Sequence, residues 1–323
     1  MGRAAGMADR RLPGRFRVMM EAGAGGSRGA LDDGRRHGSG MKHGVLTSVA
    51  GLVLAIGWMA ACDKRSRDAG TFTTAGVTHL QQREYDRAIR DFDRAIALQP
   101  GLVVAWRNRG VAHRDKGDFE RAIADYDQAV LLSPADARVF NDRGLVYVAM
   151  DDYAHAIQDF DRAIALKPNH PLAIRNRGRA YFYLGNFAQA AADLQRGLSL
   201  DSTDAYVVIW LHLARRRTRQ DDSGDFAAQA AVTDTTRWPA PVLRYLQGRL
   251  SADSLRAMSD STDAEERSDQ RCAAAFYLGE AALLREARDS AAALFEETRA
   301  SCPRSWTEYK GAIAELRRLG RRD

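Results

Sequence analysis

The sequence predicts an all-α fold: a solenoid of helix–turn–helix units, with a helical extension after it and an apolar targeting segment before it. Three observations carry this. One pattern recurs four times at a spacing of 34 across residues 69–204, with Gly76, Gly110, Gly144 and Gly178 and then Ala88, Ala122, Ala156 and Ala190 in strict register. Tyr85, Phe119, Tyr153 and Phe187 follow the same period; Pro100, Pro134 and Pro168 close the first three units, and Ser202 stands in that place in the fourth. Each unit also divides into two amphipathic stretches around a short polar turn. A period of this length marks paired helices that cannot bury their apolar faces alone and therefore stack.

Residues 1–40 are rich in Gly and Arg and carry no sustained periodicity, so disorder is expected there. Met41-Lys42-His43 then precedes an uncharged apolar run from Val45 to Ala61. A basic start, an apolar middle and small residues at the end form the layout of a secretory signal over 41–61. Translation is expected to begin at Met41, with 1–40 a gene-model extension. The run ends Ala60-Ala61-Cys62-Asp63, which resembles the bacterial lipoprotein signal, although Met59 stands where Leu is usual. That resemblance implies lipidation of Cys62 and anchorage to the cell envelope on its periplasmic face, in either membrane. An uncut anchor helix and ordinary secretion are the other readings. Residues 62–68 are expected to be a short polar tether.

In the second unit the predicted helices are Val104–Asp115 and Phe119–Leu132, with Lys116-Gly117-Asp118 between them and Ser133-Pro134 ending the second. Gly110 and Ala122 are small because the two helices cross there, and interhelical packing tolerates added volume poorly. Trp106, Gly110, Ala122, Tyr126, Ala129 and Pro134 together resemble the consensus of the tetratricopeptide repeat (TPR) family. The resemblance implies a scaffold that binds proteins or peptides in a concave groove.

Beyond Asp204 the register decays into degenerate repeats and capping helices over 205–322. Expected helices are Ala205–Arg219, a short one over Phe226–Val232, Val242–Leu250 with Pro241 in its opening turn, and one capped by Ser251 or Asp253. A last hairpin is expected from about Asp269 to Ala300, and a terminal amphipathic helix over Trp306–Leu319. Arg215, Arg216 and Arg217 read as a solvated helix end, where positive charge suits the dipole.

The formal charge is +6, but residues 1–61 hold nine Lys and Arg against four Asp and Glu, and the rest holds 39 against 38. An extended phosphate-binding surface on the folded part is therefore disfavoured, and no nucleic-acid partner is expected. No cofactor is expected either. There is no Gly-rich phosphate loop, no His-Glu-x-x-His metal motif and no nucleophile with a plausible base, so neither catalytic nor metal-ligating residues are assigned. Of three cysteines, Cys62 is the lipidation candidate. Cys272 and Cys302 each lie about 15 residues from the turn of the last hairpin, roughly 22 Å along each helix, so they fall level at its open end. A disulfide there would add roughly 3–4 kcal/mol in the chain-entropy model; two free thiols are the alternative.

Residues that recur at the period serve stacking. Arg109, Arg143 and Arg177, with Asp125, Asp159 and Asp193, are expected to pair between the two helices of each unit, and His79 and His113 to be packing residues. The candidate partner-binding set breaks or varies the period on the first helices: Arg107, Asn141 and Arg175 at one offset, then Arg114, Arg179, Phe182 and Tyr183. Guanidinium groups beside an aromatic pair suit an acidic or C-terminal segment. A solvated inner face with no single partner is the bland reading.

Trp210-Leu211-His212-Leu213-Ala214, Phe276-Tyr277-Leu278-Gly279, Asp289-Ser290-Ala291, Ala293-Leu294-Phe295 and Glu308-Tyr309 fall in an order similar to the NlpI-type TPR lipoproteins. This resemblance implies a non-enzymatic, homodimeric periplasmic scaffold that brings peptidoglycan endopeptidases to a processing protease. A generic envelope adaptor in secretion or outer-membrane assembly stays open, as does a cytoplasmic TPR co-chaperone.

Overall fold

The computed structural model describes residues 64–201, 203–233, 237–260, 263–304 and 306–321. The proposed leader and Cys62 lie outside them. Among the described residues there are fifteen helices and no strand: α1 (64–81), α2 (Tyr85–Leu98), α3 (Val103–Lys116), α4 (Phe119–Leu132), α5 (Ala137–Ala149), α6 (Tyr153–Leu166), α7 (Pro171–Leu184), α8 (Phe187–Leu200), α9 (Ala205–Arg217), α10 (Ser223–Ala231), α11 (Ala240–Leu246), α12 (Ala252–Met258), α13 (Ala264–Leu284), α14 (Arg288–Ser301) and α15 (Thr307–Arg318). None of these helices is long and apolar enough to cross a membrane. Residues 64–68 belong to α1 and do not form a loose tether.

Helix pairs α1/α2, α3/α4, α5/α6 and α7/α8 form the four units. Their glycines sit where the paired helices cross. A Cβ at Gly144 would lie 2.6 Å from the Phe160 ring, and one at Gly76 would lie 2.6 Å from Phe92. The same contact returns at Gly279, 2.7 Å from the Phe295 ring, so α13 and α14 repeat the unit although their sequence has drifted. Gly117 ends α3 at φ +92°, a left-handed conformation that a side chain would strain.

The periodic arginines tie three helices at once. Arg143 donates from Nε and a terminal nitrogen to Asp159 at 2.8 and 2.7 Å, and from its other terminal nitrogen to Asp127 on the previous unit at 2.5 Å. Arg109 holds Asp125 and Asp93, and Arg177 holds Asp193 and Asp161, in the same way. The expected pairing within a unit is thus half of the arrangement; the second carboxylate joins consecutive units. The first unit has Ala75 at this offset, and His79 faces Asp91 there at 2.9 Å.

The C-terminal half turns inward. Helices α11 and α12 have only seven residues each, roughly 10 Å of length, against about 21 Å for the fourteen-residue helices of the array. These short elements bring α13 beside α9. Helix α15 follows α14 as the next layer and also packs on α7. Its outer end is therefore not a free cap, because the chain closes back onto the fourth unit. The core at this closure is aromatic, with Trp210 4.8 Å from Phe182, 5.8 Å from Tyr183 and 5.4 Å from Phe276 between ring centroids. Cys272 and Cys302 are joined as a disulfide with Cα atoms 5.2 Å apart, closing the open end of the α13/α14 hairpin beneath Trp306.

Candidate partner-binding face

Along the array the first helices of the units approach one another, α3 to α5, α5 to α7 and α7 to α9, and so form the inner side of the curve. A chain of polar side chains runs across their floor. Arg107 Nε donates to Asp142 Oδ2 at 2.7 Å, and Asn141 Nδ2 donates to Asp142 Oδ1 at 3.2 Å. Asn176 Nδ2 then donates to Asn141 Oδ1 at 3.0 Å, and Arg179 donates to Asn176 Oδ1 at 2.6 Å. Asn141, Asp142 and Asn176 are buried. In such surroundings a satisfied network is stiff and an unsatisfied one expensive. Arg107, Asn141 and Arg179 are thus brought together by Asp142 and Asn176, two residues that keep the period. Asp142 and Asn176 share one offset with Asn108, a recurrence of short polar residues that marked them in the sequence.

Arg175 is buried and reaches forward to the next unit, 3.1 Å from Asp204 and 2.9 Å from Asp201. It crosses Gly197, where a Cβ would meet its Cγ at 2.7 Å; the other units carry Ala95, Ala129 and Ala163 at this place. Arg175 is therefore a strut between units. Arg114 lies along the inner side with Nε 2.8 Å from Asp115. One of its terminal nitrogens and the Tyr126 hydroxyl are both buried without a hydrogen-bond partner. Burial raises the Tyr126 phenol well above its usual range, partly offset by the Arg114 charge.

Phe182 and Tyr183 are not presented to solvent. Phe182 is fully buried against Trp210, and the Tyr183 hydroxyl donates to the Thr307 carbonyl at 3.2 Å. Helix α15 covers them. Arg318 donates to the carbonyls of Phe182 and Tyr183, both at 2.7 Å, and Lys310 Nζ donates to the Ala149 carbonyl at 2.7 Å. Helix α15 thus fills the inner side at α7.

Beneath α15 lies a charged cluster. Arg217 donates to Glu280 at 3.1 Å and to Glu315 at 3.0 Å, and Arg318 also donates to Glu315. The expected solvated basic end of α9 is therefore largely drawn inward; Arg217 also lies over the Phe187 ring at 4.4 Å. Glu280 is fully buried, with Oε1 lacking a partner. Desolvation first, and the neighbouring Glu315 charge second, push its carboxyl up to about 8. Among the described residues no group of three His, Cys, Asp or Glu side chains could hold a metal ion.

Family models described as tetratricopeptide repeat match residues 73–138, and then 112–167 and 160–209. Residues 73–209 form a tetratricopeptide repeat array. Solved structures agree on the fold. One, reported for functional characterization of Pseudomonas aeruginosa pilF, is 19% identical and covers 78% of this chain and 99% of its own, with a TM-score of 0.50. A tetratricopeptide repeat protein from Parabacteroides merdae is 14% identical over 77% of this chain and 99% of its own, also at 0.50. Arrays of this family are protein–protein interaction scaffolds, and no enzyme family is indicated for the chain.

Proposed function

We propose that this protein is a lipid-anchored scaffold of the bacterial cell envelope, whose repeat array holds a partner polypeptide on its inner face. Within that reading it acts as an adaptor of the NlpI type, bringing peptidoglycan hydrolases to a processing protease as a homodimer. The observation that carries the anchor is the apolar run ending in Ala60-Ala61-Cys62 immediately before a repeat array. Helix α1 is already formed at residue 64, so the array would stand directly on its acylated cysteine. The repeat array supports partner binding, since arrays of this kind are interaction scaffolds; Arg107 and Arg114 on its inner side are engaged by Asp142 and Asp115.

Metabolic labelling with radioactive palmitate tests the anchor. The wild-type chain should label and Cys62→Ser should not; equal labelling of both removes the lipoprotein reading. A pull-down from detergent-solubilised envelopes tests the adaptor role. Recovery of a wall hydrolase together with a protease supports it, and recovery of secretion or outer-membrane assembly components in their place selects the generic envelope adaptor.

A further inference from the structure

Helix α15 is joined to α14 by the short linker after Cys302 and lies over Tyr183 of the inner face. Single elements can open at lower free energy than the whole fold, so what holds α15 against α7 decides whether Tyr183 is uncovered. One face of α15 is buried in the core, with Gly311 close against Phe276 and Trp210, and charged groups fasten it at three places. At one end Lys310 reaches Ala149 and Asp151; at the other Arg318 reaches the last carbonyls of α7. Between them Arg217 of α9 is shared by Glu280 of α13 and Glu315 of α15.

The shared arrangement is unstable to ionisation. Both carboxyl groups are out of contact with water, and Glu280 Oε1 accepts no hydrogen bond. An ionised Glu280 would leave a bare anionic oxygen in the interior beside a second carboxylate, which costs far more than burying the neutral acid. The groups facing Glu280 are Arg217 from α9 and Glu315 and Arg318 from α15; Glu308 of α15 is engaged separately by the Tyr277 hydroxyl at 3.0 Å.

We propose that Glu280, Arg217, Glu315 and Arg318 form a proton-operated clasp, closed over the inner face when Glu280 is protonated and loosened when it ionises. In the loosened state α15 lifts from α7, uncovering Tyr183 and the inner side of α7. The proton leaves Glu280 for solvent and no other bond changes. The clasp uses only side chains of this chain, so it stands whether or not the anchor and adaptor readings hold.

Hydrogen exchange of the full-length protein, corrected at each pH for the intrinsic amide rate, tests this. Between pH 6 and 9.5 the protection of α15 amides should fall tenfold or more, while α4 in the body of the array keeps its protection. In Glu280→Gln, which is close in shape and cannot ionise, α15 should stay equally protected across the range; Glu315→Gln removes the neighbouring negative charge and should shift the transition to lower pH while α4 keeps its protection. Constant α15 protection in the wild type overturns the clasp. So does an equal fall in Glu280→Gln, or a fall shared by α15 and α4, which would be global unfolding.

Discussion

Lys310 Nζ lies 2.8 Å from Asp151 Oδ1, joining residues 159 positions apart. This pair fastens the last helix to the end of α5, and Lys310 also donates to the Ala149 carbonyl. Its side chain is largely buried, so the amine has little water to fall back on. Lys310→Met keeps the aliphatic stem and deletes the charge. It should destabilise the chain by about 2 kcal/mol, within the range for a hydrogen bond to a charged group. Urea unfolding followed by tryptophan fluorescence measures this; an unchanged midpoint would show that the pair contributes nothing.

The arginine rungs should resist a charge-conserving change. Arg143→Lys retains one cation but cannot serve Asp159 bidentately and Asp127 together. A loss of about 1–2 kcal/mol is expected, and Arg143→Ala should lose more because Asp159 is left buried and unpaired. If Lys and Ala behave alike in chemical denaturation, the fork geometry is irrelevant.

Two glycine substitutions should act in opposite directions. Gly144→Ala puts a methyl 2.6 Å from the Phe160 ring, and overpacking of this kind costs about 1–3 kcal/mol. Gly70 lies in α1 with open space around it, so Gly70→Ala should stabilise by up to about 1 kcal/mol through helix propensity. Thermal unfolding of the two variants beside the wild type decides it, and the same sign for both would count against the packing argument.

Glu280 sets a pH dependence whose sign follows from its raised carboxyl. The folded chain keeps a proton that the unfolded chain gives up near 4.5, so this group's contribution to stability is complete below about 4.5 and is lost as pH rises through about 8. The difference in unfolding free energy between wild type and Glu280→Gln should therefore move against the wild type from pH 5 to 9. A difference that stays flat would mean that Glu280 is ionised throughout.

The disulfide spans 30 residues, for which the loop-entropy relation gives roughly 3–4 kcal/mol. Cys272→Ser with Cys302→Ser should lower the thermal midpoint by several degrees, and a reductant should lower the wild type alone. A double variant as stable as the oxidised wild type would remove the crosslink's role.

The helix pairs of the array were legible because each unit obeys the same local rules: Gly144 against Phe160 and Arg143 against Asp159 sit at fixed offsets inside one repeat. The second rung partner was legible in principle, since Asp93, Asp127 and Asp161 recur at the period, but a pairing rule confined to one unit does not look for it. The fate of Phe182 and Tyr183 was not legible. It depends on α15 meeting α7, a contact between residues more than a hundred positions apart that arises from the short α11 and α12, and no periodicity encodes it. Arg175 shows the opposite limit: its offset suggested the groove, while Gly197, the one departure from Ala at that place, already made room for its stem.

Ala75 leaves the first unit without the arginine that clamps its successors. Tension drawn through α1 would peel that helix away before α2, which Arg109 of the next unit still grips through Asp93. Helix α1 is a mechanical fuse, and the remainder of the spring would keep its shape while it is pulled straight.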